Sequence, residues 1–192
     1  MNEGEKKAAI RNGMKARREG MDINSYRSLS MAVVVRCAEL DEYRRARTVH
    51  IYVSSLNNEV DTIGFIYRMF DEGKRVVVPC CGPEARCLRH ICIESLDVLK
   101  PRRFGIVEPD FRPEREVAPG ELDLVIAPLL AFDRSGGRVG FGGGYYDTFF
   151  AVVSCPRVGL AYSFQEVPAV PHEPHDNTLD IIVTEKETIR VR

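Results

Sequence analysis

Leu122 to Ala127 is the most apolar run of the chain and is stopped by Pro128, while Arg75 to Pro79 encloses a second core that is apolar throughout. Runs this short, with no polar alternation, mark strands covered on both faces, which requires helices above and below a sheet. Other strand-like runs lie at Thr48 to Val53, Arg157 to Tyr162 and Leu179 to Thr184, and the more mixed Cys87 to Glu94 reads as nearer an edge. Helical patterns stand between and around them. Glu5 to Gly20 is one; Leu29, Ala32, Val33, Cys37 and Leu40 form the stripe of a second, with Ser25 as its candidate cap. Asp61 or Thr62 can open a third, ended by Gly73, and Tyr145 to Val153 is a fourth. Strands alternating with helices predict an α/β fold: a single three-layer domain over residues 1–192, with a largely parallel central sheet flanked by helices, Rossmann-like in outline. Ligands of such sheets bind beyond the carboxyl ends of the strands. Three charged loops follow strands here, at Asn57 to Glu59, Asp133 to Asp147 and His172 to Asp176, so they are expected to share one rim.

The bulk numbers exclude more than they select. A chain of 192 residues can bury one sizeable core. Its net charge of -1 gives no general pull towards nucleic acid or an acidic membrane, so an anion site has to be local. No apolar run reaches the length of a membrane span, and Met1 to Gly20 has no apolar signal region, so a cytoplasmic protein is expected. The six cysteines (Cys37, Cys80, Cys81, Cys87, Cys92 and Cys155) lack both a disulfide framework and a C-x-x-C pair, and they read as buried thiols rather than zinc ligands. Lys100 to Gly120 holds four of the eleven prolines and reads as an irregular connection around Phe104-Gly105-Ile106, a lid or a surface loop.

The chemistry concentrates in Arg138-Val139-Gly140-Phe141-Gly142-Gly143-Gly144-Tyr145-Tyr146-Asp147. Glycines admit positive φ, so successive N–H groups can curl into a nest for an anion, and a helix start adds its dipole. Neither common nucleotide fingerprint fits. Gly137 and Gly142 have the Walker separation, but Gly143 and Gly144 stand where Lys and Ser or Thr belong; Tyr145 takes the third glycine position of the dinucleotide pattern. Lys7 and Arg11, four residues apart, project from one face of the first helix.

Phe132-Asp133-x-x-Gly136-x-Arg138 continuing through Asp147 resembles the signature of the 5-formyltetrahydrofolate cyclo-ligase family. Lys7 to Arg11, Ser54 to Thr62 with Asn58-Glu59-Val60-Asp61-Thr62, and Gln165 followed by Pro171-His172-Glu173-x-His175-Asp176 and Leu179-Asp180 are similar to the family's other blocks, in order. The resemblance implies an enzyme that uses ATP and Mg²⁺ to convert 5-formyltetrahydrofolate, free or polyglutamylated, into 5,10-methenyltetrahydrofolate, and a monomer with no nucleic-acid or membrane partner. It implies that Lys7, Arg11 and Arg138, with the backbone from Val139 to Tyr146 (Gly140, Phe141, Gly142, Gly143, Gly144 and Tyr145 included), bind ATP. Ser54, Glu59, Phe141, Gly142, Gly143, Gly144 and Tyr145 would line the folate side, Arg138, Tyr145 and Glu59 would act in catalysis, and Asp147 and Asp176 would hold the metal. The alternative is a non-catalytic, nucleotide-binding or regulatory member of the same fold. Three positions depart from the pattern: Gly143 stands where some relatives carry lysine, Phe141 where tyrosine or arginine is frequent, and Thr148 where a basic residue is common.

Overall fold

A computed structural model describes residues 2–82, 87–102, 105–173 and 176–191. Phe104 and His175 lie outside the described residues. The helices are α1 (Glu3–Glu19), α2 (Ile23–Ala38), α3 (Asp41–Arg45), α4 (Ile63–Asp71) and α5 (Tyr145–Phe150). The strands are β1 (Thr48–Ile51), β2 (Arg75–Cys81), β3 (Leu88–Ile93), β4 (Leu99–Pro101), β5 (Val107–Pro109), β6 (Leu124–Pro128), β7 (Ala131–Phe132), β8 (Arg138–Val139), β9 (Arg157–Leu160), β10 (Ile181–Val183) and β11 (Thr188–Arg190).

Seven strands form the main sheet in the order β11-β10-β9-β6-β1-β2-β3. The inner five run parallel, and β3 and β11 close the edges antiparallel. The first parallel strand, β1, lies between the second, β2, and the third, β6, so the winding reverses direction at the β1/β6 boundary. Connections diverge there and leave a crevice at the carboxyl ends of the two strands. The β1 loop and the glycine loop after β6 both start at that crevice.

Strand periodicity divides the core. Val49, Ile51, Val76, Val78, Leu124, Ile126, Val158, Leu160, Ile181 and Val183 face α2, α3 and α4, while Val77, Val125, Ala127 and Ile182 face α5. The α5 side is thin and aromatic. His50 from β1 and His90 from β3 pack against Phe149, with centroids 4.8 and 4.1 Å away, and Tyr146 lies 6.2 Å from His50. Burial keeps both imidazoles neutral, driving His50 far below its ordinary value and His90 to about 4. They therefore serve as aromatic core beneath the glycine loop.

Several boundaries differ from the sequence expectations. Asp22, not Ser25, caps α2, because its carboxylate accepts from the amides of both Asn24 and Ser25 at 3.0 Å. The helix expected over Tyr145 to Val153, α5, stops at Phe150 after six residues, which limits what its dipole can add to the loop before it. The described parts of the proline-rich connection are more regular than expected. They hold the β4–β5 hairpin, Glu108 accepts from the Cys81 amide at 2.9 Å, and Val117 donates to the His90 carbonyl at 2.8 Å. Among the described residues no helix is long and apolar enough to cross a membrane.

Candidate active site

The loops after β1, β6 and β9 meet at one rim, and α1 lies across them. This helix is unusual in that its two buried residues are Lys7 and Arg18. Polar bonds rather than an apolar stripe hold it. Lys7 Nζ donates to Asp176 Oδ2 at 2.5 Å and to Glu173 Oε2 at 2.7 Å; Arg11 Nε donates to the Gly140 carbonyl at 2.9 Å; Arg18 reaches the carbonyls of Leu56, Asn57 and Leu129. Burial alone would lower the Lys7 pKa, but the two carboxylates outweigh it and hold the ammonium above its ordinary value.

The glycine loop is anchored before it begins. Asp133, at the end of β7, accepts from the amides of Ser135, Gly137 and Val170 at 2.9, 3.0 and 2.7 Å. These bonds and the Ser135 hydroxyl overcome desolvation and keep its carboxyl below the usual range. Gly136, at φ +87°, presses against the Leu179 carbonyl. Beyond β8, φ is positive at Gly142 (+101°) and Gly144 (+71°) but not at Gly143, an alternation of the kind from which backbone N–H nests are built. Among the described residues, the amides of Phe141, Gly142, Gly143 and Gly144 donate to no protein acceptor. Unpaired donors fixed in a concave loop are what an anion requires. Gly143 also has a packing reason to be glycine, since an added Cβ would sit 2.7 Å from the Tyr145 ring.

Arg138 lies under this loop with its side chain 4% exposed, donating to Asp147 Oδ1 at 2.8 Å and resting 4.9 Å from the Phe150 centroid. Burial lowers its pKa, with Asp147 opposing, and a guanidinium stays charged in either case. Among the described residues its buried Nε has no acceptor and the buried Tyr146 hydroxyl has no hydrogen-bond partner. Arg11 has no acidic partner among the described residues and packs alongside Gly142. Of Lys7, Arg11 and Arg138, therefore, Arg11 has no carboxylate partner among the described residues, and the other two are matched with carboxylates.

On the other side of the crevice Glu59 is buried, and its Oε1 accepts from the Ser55 and Leu56 amides at 2.8 and 3.0 Å. Burial raises its pKa against those bonds and Arg18. Ser54 turns inward: its hydroxyl meets Asp61 and the Thr62 amide, closing the start of α4. Val139 is likewise a buried strand residue, bonded to Leu130 through its carbonyl. Phe141 faces α1, with Lys15 Nζ 5.5 Å and Arg18 Cζ 5.7 Å from its centroid. The structure therefore brings Lys7, Arg11, Arg138, Asp147, Asp176 and the glycine loop to one place. Glu59 joins them through Arg18 and Phe141. Arg18 was not among the expected site residues. Its signal was present, since positions 7, 11 and 18 of one helix fall within about 40° on the helical wheel.

The rim also carries a donor set for a hard divalent cation. Asp147 and Asp176 supply carboxylate oxygens at neighbouring points, both close enough to Arg138 to influence it. Magnesium needs only one or two such groups when phosphate and water complete its shell, so the pair suits it chemically. Each carboxylate already has a cationic partner, and no group of three or more His, Cys, Asp or Glu residues forms a metal cluster among the described residues. The cysteines are free, with Cys81 exposed and Cys37 and Cys80 buried.

Fold and rim together define a doubly wound α/β protein with a glycine loop at its switch point whose amides from Phe141 to Gly144 have no protein acceptor among the described residues. The profile of the 5-formyltetrahydrofolate cyclo-ligase family matches residues 3–185. A 5-formyltetrahydrofolate cyclo-ligase of Haemophilus influenzae is 30% identical over 93% of this chain and 98% of its own length. One of Escherichia coli K12 is 31% identical over 89% of this chain and 96% of its own. The solved structure of an Aquifex aeolicus 5,10-methenyltetrahydrofolate synthetase superposes with a TM-score of 0.84 at 31% identity, covering 97% of this chain and 93% of that one. The chain belongs to the 5-formyltetrahydrofolate cyclo-ligase family and is a ligase.

Proposed function

We propose that this protein converts 5-formyltetrahydrofolate into 5,10-methenyltetrahydrofolate with consumption of ATP and release of ADP and phosphate. The observation that carries the reading is the glycine loop, with four unpaired amides beside Arg138 and Arg11 and across the crevice from Glu59. An N-formyl oxygen is a poor leaving group. Transfer of the γ-phosphoryl to it lets folate N10 attack the formyl carbon, close the five-membered ring and expel phosphate. This chemistry asks the protein for positioning and charge neutralisation rather than a covalent nucleophile.

In this scheme Arg138, Arg11 and Lys7 clamp the phosphates, with the amides from Val139 to Tyr146 completing the cradle. Asp147 and Asp176 would hold Mg²⁺, which would supply neutralisation of the phosphate charge. Arg138 and Lys7 then exchange a carboxylate for a phosphate, which keeps charges matched in a partly buried site. Glu59 accepts hydrogen bonds from the reduced pterin, and Phe141 and Tyr145 give the folate an apolar wall. Tyr146 packs beneath Arg138 on the nucleotide side. A cytoplasmic monomer completes the reading.

Mixing the protein with ATP, Mg²⁺ and 5-formyltetrahydrofolate is expected to produce the near-ultraviolet absorbance of the methenyl product, only when all three are present. Absence of that signal with folded protein at high concentration overturns the proposal, and ATP binding without turnover would point to a regulatory member of the fold.

A further inference from the structure

Arg18 is among the largest fully buried side chains of the protein, 1% exposed, and it is in no ion pair among the described residues. Its donors go instead to backbone carbonyls on two sides of the crevice. Nε bonds Asn57 O at 2.6 Å and Nη2 bonds Leu56 O at 3.0 Å, both in the loop after β1; Nη1 bonds Leu129 O at 3.2 Å, just beyond β6. The Asn58 side chain returns a bond to the Arg18 carbonyl at 2.9 Å, and Asn57 Nδ2 donates to Glu19. The loop so held is conformationally unfavourable, for Asn57 and Asn58 are consecutive non-glycine residues at φ +47°. Such backbone persists only where its surroundings over-determine it. Directly after it comes Glu59, whose carboxylate closes the same loop onto Ser55 and Leu56.

A buried cation bonded to carbonyls is a poor means of stabilising a fold, because an apolar side chain avoids the desolvation. What the planar fork supplies is geometry: three divergent bonds that fix one loop against one strand end. We propose that Arg18 is a positioning residue that sets the Glu59 loop across the switch point and so shapes the folate half of the site. The proposal deepens the cyclo-ligase reading and rests on it for its kinetic consequence. Lys7 and Arg11 serve the phosphate half from the other end of the same helix, and Arg18 lies about 10 Å along the axis from Arg11. Damage at Arg18 should therefore be felt by one substrate and not the other.

Two variants, R18K and R18A, test this with two independent readouts. Lysine keeps the charge but cannot span three divergent carbonyls. In R18K the KM for 5-formyltetrahydrofolate is expected to rise by about tenfold or more while the KM for ATP stays within about twofold. In R18A, millimolar guanidinium chloride, well below denaturing concentrations, is expected to restore part of the lost activity by refilling the vacated fork. Hydrogen exchange supplies the readout that needs no substrate. The amides of Ser55, Leu56 and Glu59 should exchange at least about tenfold faster in R18K, with those of β1 and β6 unchanged. Parallel rises in both KM values, or faster exchange spread evenly over the sheet, would show Arg18 to be an ordinary structural residue and overturn the proposal. If the wild-type protein lacks cyclo-ligase activity, that reading falls by itself, and the exchange pattern still decides whether Arg18 holds the loop.

Discussion

Replacing Arg138 by methionine is expected to cut turnover by about 10³-fold while leaving most of the protein folded at ordinary temperature, because cationic clamps on a transferring phosphoryl group contribute on that scale. Methionine keeps much of the apolar stem that lies between Phe150 and Tyr146, so the packing survives in large part. It removes the charge, the bond to Asp147 and the buried Nε, which has no protein acceptor and is suited to a ligand. Loss of a buried partner leaves Asp147 unmatched, but that side chain is 23% exposed and can recover water. The stability cost is accordingly set at about 2 kcal/mol, below the range for a fully buried pair. Steady-state kinetics beside a thermal melt separate the two effects. Turnover that falls only in proportion to the folded fraction would remove Arg138 from the catalytic machinery.

The largest effect on stability is expected at Gly136. Alanine there is penalised twice: φ of +87° lies outside the range its side chain tolerates, and the new Cβ would stand 2.6 Å from the Leu179 carbonyl, which is backbone and cannot rotate away. The bond from the Leu179 amide to the Gly136 carbonyl at 2.9 Å would be displaced with it. Strain, overlap and the lost bond together come to about 3–4 kcal/mol. Denaturant titration of G136A measures the sum, and a change under about 1 kcal/mol would show that the turn and the Leu179 segment part easily. Activity should fall as well, since this turn aims the glycine loop.

What could be read from the sequence, and what could not, follows from the range of each interaction. Val76 to Val78 and Leu124 to Ala127 declared themselves as central strands because burial on both faces leaves no polar positions. The glycine run and its flanks marked, through local backbone chemistry, the loop whose amides have no protein acceptor among the described residues. Ser25 was the wrong cap because the helix starts before it: Asp22 accepts from the amides of Asn24 and Ser25, which leaves Ser25 inside the first turn. The β4–β5 hairpin was hidden by its prolines, and Glu108, which docks it to Cys81, carries no periodic signal. Arg18 escaped for a different reason. It shares the helix face of Lys7 and Arg11, but a basic residue in the last turn of a helix is also an ordinary partner for the helix dipole, and the carbonyls it meets lie 38 to 111 residues away.

The manner in which α1 is attached also bears on the order in which the protein comes together. Lys7 meets Glu173 and Asp176 across sequence separations of 166 and 169 residues, and Arg11 meets Gly140 across 129. With only Lys7 and Arg18 buried, the helix has little apolar surface with which to dock early. Contacts of such long separation form after the loops between them have closed, so the first helix of the chain is expected to be the last to be seated. During refolding, pulse-labelled amides of α1 should gain protection after those of β1 and β6; simultaneous protection would contradict this order. The rim would then be completed only when the final strands are in place, and incompletely folded chains would hold a sheet but no assembled site.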